Sequence, residues 1–176
     1  MDTKHILLVE DDRNDVEMTL AALADHDLAD KVAVVRDGAA ALDYLYCRGK
    51  YQSRAPGNPI LVLLDNKMPK VSGLQVLKTI KMDENLKTIP VVALTSSRER
   101  PDLLAFYQHG INAYVVKPVD FSEFMRAIKQ LGVFWAAINE PPPVKEVAVL
   151  QNGEVVPVIK EEIKNEIAAP HPASGR

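Results

Sequence analysis

Residues 60–70 read ILVLLDNKMPK: five uninterrupted aliphatic residues, Ile60 to Leu64, stop on an acid, Asp65, and the chain turns at Pro69. A run this apolar has no polar face to give to water. It therefore reads as a strand buried on both sides, in the middle of a parallel sheet. The far end of such a strand is where an α/β protein gathers its loops and helix N-termini, so Asp65 stands where chemistry is done.

Working outward, four more apolar runs follow, and three of them stop on polar residues. Ile6 to Val9 stops at Glu10, Asp11 and Asp12, Val32 to Val35 forms a second strand, Val91 to Leu94 stops at Thr95, and Tyr114 to Val116 stops at Lys117-Pro118. Helical spacing fills the intervals. Val16, Leu20 and Leu23 follow a cap at Asn14 or Asp15, residues 39–46 form a second helix, and Leu74, Leu77 and Ile80 follow a cap at Ser72. Pro101 fits the first turn of a fourth helix, and a fifth, from about Asp120, presents Phe121, Phe124, Met125 and Ile128 inward. Strand and helix alternating five times predict an α/β fold, a doubly wound, mostly parallel five-stranded sheet covered on both faces. Residues 48–59 are a polar, turn-rich surface loop.

This pattern defines a domain over residues 1–132. Residues 133–143 continue as an apolar extension, Phe134-Trp135 included, that ends at Pro141-Pro142-Pro143. Residues 144–167 hold a β-hairpin arm turning at Asn152-Gly153 and a short helix, and 168–176 read as a disordered tail. An isolated ribbon is barely stable in water, so the arm needs a surface to lie on.

A formal charge of −3 over 176 residues offers no basic face for nucleic acid, and 144–176 show no helix-turn-helix pattern. No run approaches the ~20 apolar residues of a membrane span, and the start lacks a secretory pattern, so a soluble cytoplasmic protein is expected. The one cysteine, Cys47, cannot form an internal disulfide, and the four histidines lack metal-ligand spacing.

Glu10, Asp11, Asp65, Thr95 and Lys117 thus fall at successive strand ends. Taken singly, such acids cap helices, such hydroxyls cap turns and such a lysine is a surface charge. Together they mean more. Crowded carboxylates need a compensating cation, and hard oxygen donors suit Mg²⁺. Lys117 and the Thr95 hydroxyl would then meet a phosphoryl group arriving on Asp65, the natural nucleophile.

The ordered segments LLVEDD, LVLLDNKMP, VVALTSS and AYVVKP make residues 4–131 resemble the receiver domain of two-component response regulators. The resemblance implies a flavodoxin-like fold with strand order 2-1-3-4-5. It implies that Asp65 takes a phosphoryl group from a sensor histidine kinase, and that Asp11, Asp65 and the Lys67 carbonyl bind Mg²⁺, with Glu10 acting mostly through water. Thr95 and Lys117 would contact the phosphoryl oxygens, Thr95 and Tyr114 would form the switch, and Lys117-Pro118 would be a cis peptide, an isomer that costs proline only ~1 kcal/mol. Receivers commonly carry an aliphatic residue after the acceptor; here it is Asn66. The loop around 50–59, LTSSRE and the FW…N…PP run resemble the single-domain regulators that partner phytochrome-type sensor kinases. Signalling without an output domain proceeds through protein contact, and a homodimer through the C-terminal extension and the face of the fourth helix, fifth strand and fifth helix is expected.

Two other readings are weaker. An aspartyl-phosphate hydrolase would carry a second acid two positions after its nucleophile, where Lys67 stands. A dinucleotide-binding fold would show a glycine-rich turn after the first strand, where Glu10-Asp11-Asp12-Arg13 stands instead. The expected protein is a phospho-acceptor, not an enzyme acting on external substrates.

Overall fold

The computed structural model describes residues 5–24, 28–142, 150–151 and 154–155. The chain divides into two units, 1–143 and 144–176. In the first, β1 (Ile6–Val9), β2 (Val32–Val35), β3 (Leu61–Leu64), β4 (Val91–Thr95) and β5 (Ala113–Val116) form one sheet in the order β2-β1-β3-β4-β5. Every pairing is parallel. Five helices alternate with them: α1 (Arg13–Ala24), α2 (Gly38–Leu45), α3 (Gly73–Met82), α4 (Arg100–Gln108) and α5 (Phe121–Val133). This is the doubly wound fold, with strand order 2-1-3-4-5, that the sequence predicts.

Burial explains which runs are purely aliphatic. Every residue of β1, β3 and β4 is buried, whereas the edge strands β2 and β5 are mostly half-buried. Successive side chains leave a strand on opposite faces, so the sheet makes two cores. Leu7, Val9, Val62, Leu64, Val91 and Ala93 meet Tyr44, Leu77, Ile80 and Phe106 from α2, α3 and α4. Ile6, Leu8, Leu61, Leu63, Val92 and Leu94 meet Val16, Leu23, Phe124 and Ile128 from α1 and α5.

Local chemistry sets the helix starts. Ser72 and Gln75 form a reciprocal capping box on α3, Asp37 accepts from the Ala40 N–H, and Asp120 from the Glu123 N–H. The cap of α1 is neither Asn14 nor Asp15. It is Asp12, whose carboxylate accepts the N–H groups of both, at 2.8 and 3.0 Å.

Phe121 also departs from expectation: 58 % exposed, it points away from the core. It is the first residue of α5, ahead of Phe124 and Ile128, which enter the core shared with α1, and the far end of the helix also meets α1. There a Cβ on Gly132 would come within 2.5 Å of Leu23 Cδ2. After α5 the chain makes a π-helical turn, Phe134–Ile138, in which Trp135 packs on the core while Phe134 stays exposed.

The loop between α2 and β3 is more ordered than its polar composition predicts. Arg54 lies over the Tyr44 ring, 4.4 Å from its centroid, and donates to the carbonyls of Tyr44, Ala55 and Gly57. In the second unit, β6 (Leu150–Gln151) and β7 (Glu154–Val155) pair antiparallel. The turn at 152–153, the short helix and the tail beyond lie outside the described residues.

Candidate functional site

Sheet register brings the strand-end residues together. The Asp65 N–H donates to the Val9 carbonyl at 3.0 Å, which sets Asp65 beside Glu10, and the Glu10 N–H donates in turn to Val35 at 3.0 Å. On the other side of Asp65, Gly73 opens α3 so closely that a Cβ there would stand 2.1 Å from the Asp65 carbonyl oxygen. Thr95 ends β4, and its carbonyl accepts the Lys117 N–H at 2.8 Å, so Lys117 leaves β5 into the same cleft.

Carboxylate oxygens of Glu10, Asp11 and Asp65 all lie within 4.8 Å of one another. Asp11 is exposed, while Glu10 and Asp65 are buried, at 2 % and 7 % exposure. Burial pushes the Glu10 carboxyl up to about 7; Lys117 opposes the shift and the Asp65 charge adds to it. The cluster thus holds more negative charge than it can solvate, and a divalent cation with hard oxygen ligands fits the donor set.

Lys117 supplies part of the compensation. Its ammonium sits 2.7 Å from Glu10, 2.6 Å from Asp15 and 3.7 Å from Asp65. Burial alone would lower its pKa, but the hydrogen bonds to Asp15 and Glu10 outweigh that and the net shift is upward. Asp15 is a site residue that sequence reasoning assigned to capping. Its partner, Lys117, lies far away in the chain, so no local spacing signals the contact.

Among the described residues no peptide bond is cis, so Lys117-Pro118 is trans, contrary to what the resemblance implied. The trans form is the intrinsically favoured isomer, and Lys117 reaches both Glu10 and Asp15 from it.

The remaining residues surround the β4–α4 loop. Thr95 is fully buried, and its hydroxyl accepts the Ser97 N–H at 3.2 Å. The Tyr114 hydroxyl donates to the Ser97 carbonyl at 3.2 Å, with its ring edge-on to Phe106 at 5.4 Å. Lys67 donates its N–H to Asp65 Oδ2 at 3.1 Å. Asn66, whose role the sequence left open, is buried and donates to Asp102 Oδ2 at 3.3 Å.

A parallel sheet of this order, with three acids, a hydroxyl and a lysine at its carboxyl end, defines a doubly wound α/β domain with an acidic, lysine-braced cleft. The chain belongs to the response regulator receiver domain family, whose model matches residues 6–129. It is therefore a two-component signalling protein of the class that pairs with sensor histidine kinases.

Similar proteins narrow the comparison. Response regulator Rcp1 of Synechocystis sp. is 35 % identical over 132 residues, spanning 75 % of this chain and 88 % of that protein. The phosphorylated cyanobacterial phytochrome response regulator RcpA is 36 % identical with a TM-score of 0.74, over 80 % of this chain and 99 % of that one. Bacteriophytochrome response regulator RtBRR is 56 % identical with a TM-score of 0.64, over 80 % and 84 %. A Mn(2+)-bound structure of Rcp1 also superposes, with a TM-score of 0.74 at 34 % identity, over 80 % and 99 %. Among the described residues no helix is long and apolar enough to cross a membrane.

Proposed function

We propose that this chain is a cytoplasmic response regulator that accepts a phosphoryl group on Asp65 from a phytochrome-type sensor histidine kinase. The observation that carries the reading is the buried Asp65 carboxylate beside Glu10, Asp11 and Lys117 at the carboxyl end of the sheet. In the transfer, an Asp65 carboxylate oxygen forms a bond to phosphorus as the bond from phosphorus to the kinase imidazole nitrogen breaks. That nitrogen keeps the electron pair.

Asp11, Asp65 and the Lys67 carbonyl would hold Mg²⁺, with Glu10 acting through water; the Mn(2+)-bound form of Rcp1 supports a divalent cation in this family. Bound there, the ion neutralises charge on the phosphoryl oxygens. Lys117 sits within 3.7 Å of Asp65 and needs only a small movement to reach those oxygens. The Thr95 hydroxyl would leave the Ser97 N–H to donate to the phosphoryl group, and Tyr114 would shift with the loop. Phosphoryl charge drawing donors inward is the switch. The chain acts as a substrate of the relay and catalyses only its own phosphoryl transfer and loss.

Incubation with acetyl phosphate and Mg²⁺ should add one phosphoryl mass to the intact protein, and EDTA should prevent it. Uptake that persists at full rate with EDTA would remove the metal from the reading.

The output is protein contact through a homodimer, without nucleic acid. Leu104, Tyr107, Val119 and Phe121 place exposed apolar surface along the α4–β5–α5 face, and Phe134 adds more after α5. The extension from 133, with the β6–β7 arm, completes the interface. Deleting residues 144–176 should lower the mass in solution from dimer toward monomer; an unchanged dimer would exclude the arm.

A further inference from the structure

One carboxylate oxygen links the acceptor to α4. Asp102, in the first turn of α4, accepts at Oδ2 from both the Asn66 side-chain amide at 3.3 Å and the Ser97 hydroxyl at 2.6 Å. Asn66 belongs to the loop after β3 and Ser97 to the loop after β4. Ser97 also donates its N–H to Thr95 Oγ1 and accepts the Tyr114 hydroxyl at its carbonyl. A chain of hydrogen bonds therefore runs from the residue beside the acceptor, through Asp102 and Ser97, to both residues of the switch.

Asn66 and Ser97 are 9 % and 5 % exposed, so their polar groups need protein partners, and an ionised acceptor makes the stronger bonds. An aliphatic side chain at 66 could not supply the donor. Gly73 donates to the Asn66 carbonyl at 3.0 Å, which fixes the main chain from which the amide reaches α4.

We propose that Asn66 is a positioning residue. Through Asp102 its amide holds the β4–α4 loop in the arrangement that keeps the Thr95 hydroxyl on Ser97, and so restrains phosphoryl uptake at Asp65. The inference rests on the phospho-acceptor reading, because only there must Thr95 leave Ser97. A bond present in the resting arrangement and broken in the phosphorylated one biases the equilibrium toward rest, and its removal shifts the population the other way.

The test is a double-mutant cycle on the full chain with Asn66→Leu, Asp102→Ala and both together. Two quantities are followed: the initial rate of phosphoryl uptake from acetyl phosphate with Mg²⁺, and the thermal midpoint without phosphodonor. Asn66→Leu keeps the side-chain volume close and removes the donor. It should speed uptake about fivefold, the scale of one modest hydrogen bond, and should add no further acceleration in the Asp102→Ala background. Should Asp102→Ala not unfold cooperatively, Ser97→Ala takes its place in the cycle.

A merely structural Asn66 would shift the thermal midpoint and leave the uptake rate alone. Unchanged or slower uptake by Asn66→Leu, with normal labelling of the unaltered chain, overturns the inference and leaves Asp65 as acceptor. Equal acceleration in both backgrounds overturns the route through Asp102. No labelling of the unaltered chain overturns the phospho-acceptor reading, and this inference with it.

Discussion

The Asp65→Asn protein is expected to take up no phosphoryl group from acetyl phosphate or from a kinase, a loss down to the background of the assay. Asparagine keeps the shape and can still accept the Lys67 N–H, but its amide oxygen is a far poorer nucleophile than a carboxylate. The neighbouring acids cannot substitute. Glu10 is held by Lys117 and has its carboxyl pushed up to about 7, chiefly by burial. Asp12 is committed to the α1 cap, and Asp11 is exposed. Intact mass reads the loss directly, and cooperative thermal unfolding of the variant shows that the fold survives. Label retained on the variant would move the acceptor elsewhere.

The largest stability change is expected from Phe106→Ala. Phe106 is fully buried in the core between the sheet and α4, and its ring supports the Tyr114 ring edge-on. Emptying such a site costs about 3–5 kcal/mol. Since native domains hold only about 5–15 kcal/mol in reserve, the variant should unfold at a much lower urea concentration with little change in slope. Met82→Ala, at a position 83 % exposed, should stay within about 0.5 kcal/mol of the unaltered chain. Comparable midpoints for the two variants would contradict the core assignment.

The sheet was legible because β1, β3 and β4 are buried on both faces, so their aliphatic runs were long and uninterrupted. Their ends, with that of β5, then located Glu10, Asp11, Asp65, Thr95 and Lys117, which register brings together at the carboxyl end of the sheet. What stayed hidden was pairing across long stretches of chain. Asp15 meets Lys117 from 102 residues away, and Asn66 meets Asp102 from 36. Neither spacing leaves a periodic mark, since such contacts depend on where the folded chain returns. Arg54 was obscured in the same way: in a polar loop it read as solvated, yet three carbonyls and the Tyr44 ring give it a protein environment. Phe121 fitted the helical period, but the period cannot say where along α5 the contact with α1 begins.

The main chain of Asp65 is held from two directions, by its N–H on Val9 and by the backbone of Gly73 seated hard against its carbonyl. Under the proposed function, a residue mounted this way would behave like an anvil: the blow of an added charge could not be absorbed where it lands, and the displacement would pass to the lighter pieces around it, the segment after β4 and the side chains at the end of β5.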